Sequence, residues 1–437
     1  MSERIPAASS TPSAEPGRQS PDMRDGRAPD APTIAAAGLA RARRLPGSAR
    51  GRALIVAGVI LLGLVFLFGG DTWMSVIDTA LIAGIAALSL NVLSGYAGQI
   101  SLGIAFFMGI GAYTAAVLGG PAPQLPGDPA GLNLSFLIWL PAAGIVAALV
   151  GALIGPTALR LKGFYLAIVT LALVFIGYYL FLNLRGLTGG PQGRVVPAPG
   201  FGDFSFGSPD EVLGVQFTSS QWYFLLLIVV LAISAVFVAN LARSRTGRAW
   251  QAVRDNETAA AIMGVNLFSA KQGAFVLSSF LAGIAGALWA SYPGYTTPGT
   301  WGGATGLLLS IQVIAAILIG GVASVWGSIL GAAFVFALPT ALENFSLLPQ
   351  SANSTGLSSG ALSTIFYGLL IIVFLLFEPL GIIGLIRRVQ LVIRRRDDQR
   401  KGGEAAATAA ATASATATAS LASSESESPL DVERSNL

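Results

Sequence analysis

Between Ala242 and Lys271 lies a stretch whose residue types do more than connect two apolar runs. It holds Arg243, Arg245, Arg248, Arg254, Asp255, Glu257 and Lys271, seven of the 19 charged side chains in residues 53–386. The charges flank helix-forming sequence. Arg248-Ala-Trp-Gln-Ala-Val-Arg254 can continue a helix, and Asp255 or Asn256 can cap a second, shorter one by accepting from its first-turn amides. Glu257 then falls in the first turn, where the helix dipole favours a negative charge. Ala259 and Ala260 belong to a run of strong helix formers that ends near Met263, and Gly264 stands at the C′ position, where a left-handed residue commonly ends a helix. A short helix with an alanine face and flanking charges either rests on lipid or enters a groove on another protein.

Bond-making chemistry is not expected of this chain. It has no His and no Cys, which removes Cys or Ser–His nucleophile pairs, zinc and haem sites that need those ligands, and disulfides. No metal site and no catalytic residue is assigned. A Walker A loop needs Gly-Lys followed by Ser or Thr; Lys162 follows Leu161, Lys271 follows Ala270 and Lys401 follows Arg400, so none of the three lysines fits. If ATP drives this protein, a partner hydrolyses it, and the chain itself carries no cofactor. The acids between residues 53 and 386 are Asp71, Asp78, Asp128, Asp203, Asp210, Glu211, Asp255, Glu257, Glu343 and Glu378. All fall in loops or within a turn or two of an expected span end, where solvation explains them. With no charged relay at depth, a proton-coupled carrier and an enzyme needing paired carboxylates are both disfavoured.

Uncharged polar residues do occur inside apolar runs: Asn91, Ser94, Tyr96, Gln99, Ser101, Thr170, Ser310 and Gln312. They are candidates for lining a path for a polar solute, or for hydrogen bonds between helices. The small-residue pairs Gly327–Gly331, Ala282–Gly286 and Ala147–Gly151 allow helix backbones to approach closely.

These residues must be positioned by elements that cross a membrane. The chain of 437 residues is 53% hydrophobic and 11% charged, against about 25% charged in soluble proteins. A run of about 20 apolar residues spans the ~30 Å hydrocarbon core. Such runs recur at 53–70, 76–93, 99–118, 134–154, 164–182, 221–241, 272–291, 307–321, 325–342 and 362–386. The expectation is an all-α polytopic membrane protein of about ten transmembrane helices, with 307–342 either a hairpin of two short helices or a partly re-entrant pair. A barrel would show ~10-residue alternating strands instead. Placing both termini in the cytoplasm puts 24 of the 26 basic residues inside, leaving only Arg185 and Arg194 in outer loops, as the retention of Lys and Arg on the cytoplasmic side requires. No signal peptide is expected, because about 50 residues precede the first apolar run and no small-residue cleavage site follows it. Residues 1–52 read as a disordered basic cytoplasmic tail, 53–386 as the transmembrane domain, and 387–437 as a basic flank followed by a disordered Ala/Thr/Ser-rich tail. The formal charge of +4 belongs to the N-terminal flank, suited to anionic lipid rather than nucleic acid.

Five stretches give the chain a family likeness. They are Leu90-Asn-Val-Leu-Ser-Gly-Tyr-Ala-Gly-Gln-Ile-Ser-Leu-Gly103 continuing to Gly109-Ile-Gly-Ala-Tyr-Thr114; Gly163-Phe-Tyr-Leu-Ala-Ile-Val-Thr-Leu171 with Leu187-Thr-Gly-Gly190 and Gly193; Thr246-Gly-Arg through Asp255-Asn-Glu-Thr-Ala-Ala260 to Gly264; Ala274-Phe275, Ser278 and Ala282-Gly-Ile-Ala-Gly286; and Gly320-Gly321, Gly327, Gly331-Ala332 and Phe377-Glu-Pro-Leu-Gly381. In this order they resemble the membrane permease subunits of branched-chain amino acid ABC importers, the hydrophobic amino acid uptake group. The resemblance implies a type II importer-like permease of the bacterial plasma membrane that moves branched-chain or other hydrophobic amino acids. It also implies partners: a second permease, homologous or another copy of this chain, two cytoplasmic ABC ATPases, and an extracytoplasmic solute-binding protein docking chiefly on 183–220. By position Glu257, Ala259, Ala260 and Gly264 inherit the ATPase-coupling role, within a segment that includes Arg248, Arg254, Asp255 and Asn256. The chain departs from the family at Ile104, where a polar residue is usual, at Ala323, where Gly is common, and at Ser328, where Pro is. The alternatives are a permease for another small polar solute such as a sugar, or an ion-coupled secondary transporter with its site at the Gly-rich breaks near Ser94 and Gly320.

Overall fold

The computed structural model describes residues 70–344 except 122–130, 159–162, 202–203, 207–209 and 213–214, together with isolated positions between 365 and 384. These residues belong to one compact unit, Leu64–Leu437. The expected span 53–70, most of 362–386 and both tails lie outside the described residues.

Helix α1 (Asp71–Leu90) runs directly into a π-helical turn, Asn91–Tyr96. Then follow α2 (Ile104–Gly119), α3 (Phe136–Ala158), α4 (Phe164–Asn183) and the single turn α5 (Arg185–Thr188). Next come short strands: β1 (Arg194–Val195), β2 (Gly200–Phe201) paired with β3 (Phe204–Ser205), and β4 (Asp210–Val212) paired with β5 (Val215–Phe217). The helical path resumes with α6 (Ser219–Arg243), α7 (Arg245–Asp255), α8 (Glu257–Ile262) and α9 (Leu267–Ser291). Strand β6 (Tyr295–Thr296) returns to pair antiparallel with β1, and α10 (Pro298–Trp301), α11 (Gly303–Gly320) and α12 (Val325–Asn344) complete the order.

Among the described residues, six helices are long and apolar enough to cross a membrane: Trp73–Tyr96, Phe136–Pro156, Tyr165–Asn183, Ser219–Arg243, Leu267–Ser291 and Gly303–Gly320. They correspond to six of the expected runs. The runs 99–118 and 325–342 correspond to the shorter apolar helices Ile104–Gly119 and Val325–Pro339. The first of these is corrected at its start. Gly98 takes φ +70°, which breaks the helix, and residues 99–103 pass in non-helical conformation before α2 begins. The 307–342 region is a hairpin: Gly321 at φ +113° and Ala323 at φ +59° turn the chain between α11 and α12 within four residues.

Helix α1 is the hub, packed by α6, α9, α11 and α12, while α9 packs on α2 and α3. Within the chain, 89% of the apolar window of α1 is buried, against 28% for α3. Close approach comes from small residues. A side chain at Gly331 would collide with the backbone of Ala316, and one at Gly286 with the backbone of Met108, so α12 meets α11 and α9 meets α2 at backbone distance.

One end of the bundle gathers the end of α1, the α11–α12 turn, α7, α8 and the start of α9, where Gln272 Nε2 donates to Ala152 O at 2.9 Å. The opposite end holds the β1–β6 pair, in register Arg194↔Thr296, and the buried Trp301, whose Nε1 donates to Thr296 Oγ1 at 2.7 Å. There too Tyr223 OH meets Ser291 Oγ at 2.6 Å.

Asp78 contradicts the expectation that every core acid is solvated. It is fully buried, and neither carboxyl oxygen has a hydrogen-bond partner. Two turns from the helix start is already deep where α6, α9 and α12 all lie against α1.

Candidate coupling site

Helix α7 starts from Ser244, whose Oγ accepts from Gly247 N at 3.3 Å. It buries Gly247, Trp250 and Val253, three positions at helical spacing that form one stripe against the bundle. Trp250 is the anchor: it is 2% exposed, and its Nε1 donates to Ala270 O at 2.8 Å. Arg248, on the exposed side, donates through Nη1 to Arg243 O at 2.9 Å, closing the C-terminus of α6.

The cap of α8 is Asn256 rather than Asp255. Asn256 is extended at φ −161°, ψ 110°, and its Oδ1 accepts from Ala259 N at 3.0 Å. Asp255 instead lies 3.5 Å from Arg254 Nε. At the other end, Val265 N donates to Ala260 O and Gly264 N to Ala261 O, both at 3.0 Å, with Gly264 at φ +82°. This is the paired Schellman closure, which satisfies carbonyls the last turn leaves free. Between the caps Glu257 Oε1 meets Lys271 Nζ at 2.6 Å. The alanine face divides: Ala260 is buried and Ala259 exposed. Ile262 and Met263, 81% and 82% exposed, form an apolar tip. A six-residue helix has little stability of its own; two caps and an ion pair hold this one in place.

Arg254 reaches away from the loop, its Nη1 donating to Gly95 O at 2.6 Å. Around it a cavity of about 190 Å³ is lined by Gln99, Leu166, Val253, Arg254, Glu257 and Lys271 among others.

The polar residues proposed for a solute path are placed as follows. Asn91, Ser94, Tyr96 and Gln99 sit at the end of the bundle that carries α7 and α8, not at mid-depth. Asn91 bonds the α11–α12 turn, donating to Ser324 O at 3.2 Å and accepting from Ala323 N at 2.8 Å. Ser94 Oγ donates to Gln99 O at 2.9 Å, Tyr96 is buried, and Gln99 Nε2 donates to Lys271 O at 3.3 Å while its Oε1 has no partner. Ser101, Thr170 and Ser310 converge on the start of α2. Gly103 N donates to Ser101 Oγ at 3.3 Å, Leu102 N to Thr170 Oγ1 at 2.9 Å and Ala105 N to Ser310 Oγ at 3.3 Å. These hydroxyls satisfy amides that the beginning of a helix leaves unpaired. Gln312 is half-buried on α11. Ile104, where the resemblance expects a polar residue, is 4% exposed within the packed core.

Sequence reasoning missed Lys271 and Trp250 as the residues that tie the loop to the bundle. A signal was present for both: Lys271 is the one charged residue in α9, and Trp250 sits three residues from Gly247 and from Val253 on a single face.

The long apolar helices among the described residues, taken with the family match, make this a multi-pass permease of the bacterial inner membrane. Residues 73–375 match the family described as branched-chain amino acid transport system / permease component, and the chain belongs to that family. It is 32% identical over 334 residues to the high-affinity branched-chain amino acid transport system permease protein LivM of Salmonella typhimurium, covering 74% of this chain and 71% of the relative. LivM of Escherichia coli is 31% identical over 316 residues, 69% of this chain and 68% of the relative. A shorter likeness, 32% over 121 residues, joins 28% of the chain to 35% of the autoinducer 2 import system permease protein LsrC of an Enterobacter species. No solved structure matches the chain.

Proposed function

We propose that this chain is the membrane-spanning subunit of an ATP-driven importer that carries branched-chain or other hydrophobic amino acids inward. It makes and breaks no bond itself. Two partner ABC ATPases bind and hydrolyse ATP in the cytoplasm, a second permease (a homologue or another copy of this chain) completes the path, and an extracytoplasmic solute-binding protein delivers the amino acid to the 183–220 region. Both termini lie in the cytoplasm, the side favoured for the basic clusters.

The observation that carries this reading is α8, which is capped at both ends, ion-paired through Glu257 and presents Ala259, Ile262 and Met263 to solvent. A preformed helix with an apolar tip suits a groove on a rigid partner, because little ordering entropy is lost on docking. Arg248, Arg254, Asp255, Asn256, Glu257, Ala259, Ala260 and Gly264 are its coupling residues: some meet the partner and some hold α8 in place. ATP-driven closure of the ATPase pair pushes this surface, and rigid-body movement of the helices alternates access. The eight polar path candidates remain assigned to the solute route. Gln312 and the buried Tyr96 are the two among them whose side chains take part in none of the backbone bonds described above.

The test is reconstitution in liposomes with the partner subunits and binding protein, measuring labelled leucine uptake. Uptake that requires ATP and the binding protein is expected. Uptake that persists without the ATPase subunits overturns the reading in favour of ion coupling. A binding protein that ignores leucine and takes a sugar overturns the solute assignment alone.

A further inference from the structure

Three segments far apart in the sequence meet at the π-helical turn Asn91–Tyr96 that closes α1. From one side comes Arg254 at the end of α7, bonded to Gly95 O. From the other comes the turn between α11 and α12, with Ala323 N and Ser324 O both bonded to the side-chain amide of Asn91. Gly95 lies at the crossing point. A side chain there would collide with Asn91 Oδ1 and stand 2.8 Å from Ala323 N. Gly98 continues the contact, since a Cβ on it would lie 2.6 Å from Arg254 Cγ.

The receiving end is stiff. Ser324 O, which takes the Asn91 amide, also accepts from Ser328 Oγ at 3.0 Å, and Ser324 Oγ accepts from Gly327 N at 3.2 Å. The first turn of α12 is thus tied to the same residue that Asn91 grips. Helices α11 and α12 touch at backbone distance through Gly320, Gly327 and Gly331, so they move as one body. The turn in the middle is π-helical, and such turns are short, irregular insertions in α-helices that recur at functional sites. On the sending side, α7 and α8 are also tied to α9 through Trp250 and Lys271, whereas Arg254 provides the hydrogen bond to the end of α1.

We propose that the Asn91–Tyr96 turn is a mechanical junction: displacement of α7–α8 passes through Arg254 to Gly95, and through Asn91 to the α11–α12 hairpin. Arg254 and Asn91 are its positioning residues. The inference rests on the proposed function, in which a partner drives α7–α8, and it adds the route by which that push reaches helices remote from the loop.

The natural absence of Cys makes a distance measurement direct. Spin labels on Val322→Cys in the hairpin turn and Leu149→Cys on the exposed face of α3, 45% and 64% exposed, report hairpin movement in the complete reconstituted complex with and without ATP. In the otherwise unaltered chain an ATP-dependent change in this distance is expected. Arg254→Gln and Asn91→Ala are each expected to abolish it and to lower leucine uptake per ATP hydrolysed about tenfold, with Arg254→Lys restoring part of both. A distance change and an uptake ratio that persist in Arg254→Gln overturn the junction. Arg254 is an exposed side chain, so that arm decides the matter even if Asn91→Ala fails to assemble. If the unaltered complex shows no ATP-dependent uptake, the proposed function fails instead, a different outcome from coupled uptake that ignores both substitutions.

Discussion

Lys271 Nζ lies 2.6 Å from Glu257 Oε1, joining the N-terminal part of α9, a helix largely buried in the bundle, to the first turn of the exposed α8. Fully solvated pairs contribute about 0–1 kcal/mol; in this one Lys271 is 11% and Glu257 38% exposed, so salt screens it less. The pair fixes the direction in which α8 projects. Glu257→Lys places two cations together and is expected to reduce co-purification of the partner ATPases and leucine uptake severalfold. The exchange Glu257→Lys with Lys271→Glu is expected to recover most of both, measured as a double-mutant cycle. Equal loss in the single and the double variants would show that the pair does not orient α8.

Gly264 closes α8 at φ +82°, a conformation that costs other L-residues about 1–2 kcal/mol. Gly264→Ala is expected to fray the last turn and misdirect Ile262 and Met263. Uptake falls while the fold of the bundle, read by circular dichroism in detergent, is retained. Unchanged uptake would mean that the Schellman closure is dispensable for coupling.

Ala323 adopts the same left-handed region at φ +59° with a Cβ present. Ala323→Gly is expected to raise thermal stability by about 1 kcal/mol, because relief of the strain outweighs the added freedom of the unfolded chain. A lowered unfolding midpoint in detergent would contradict this account of the turn.

Asp78 has two buried carboxyl oxygens without partners, and an unsatisfied buried polar group costs about 1–3 kcal/mol, more when charged. Asp78→Asn removes the ionisable group at constant size. The unfolding midpoint is expected to rise, with uptake unchanged. A loss of uptake at retained stability would instead give Asp78 a part in transport.

The sequence made most of the loop architecture readable because capping is local. Asn256 and Gly264 act within three or four residues of themselves, and composition alone located every long helix among the described residues. What stayed hidden depended on distance along the chain. Asn91 finds Ser324 at a separation of 233 residues, and no pattern near Asn91 announces it. The fate of Asp78 is decided by three helices closing over α1. The start of α2 moved to Ile104 because Gly98 left the helical region, which an apolar run does not register. The paired strands between Arg194 and Phe217, each two or three residues long, are too short to show a period of two.

The uncovered sides of α3, α4 and α6, whose apolar windows are only 28%, 39% and 33% buried within the chain, bear on what the subunit can lie against. In water such surfaces would drive immediate aggregation. In a bilayer, lipid tails are as apolar as leucine, so no hydrophobic penalty presses two subunits together. These faces can therefore lie against lipid, and any helix–helix contact made through them would rest on shape and polar groups.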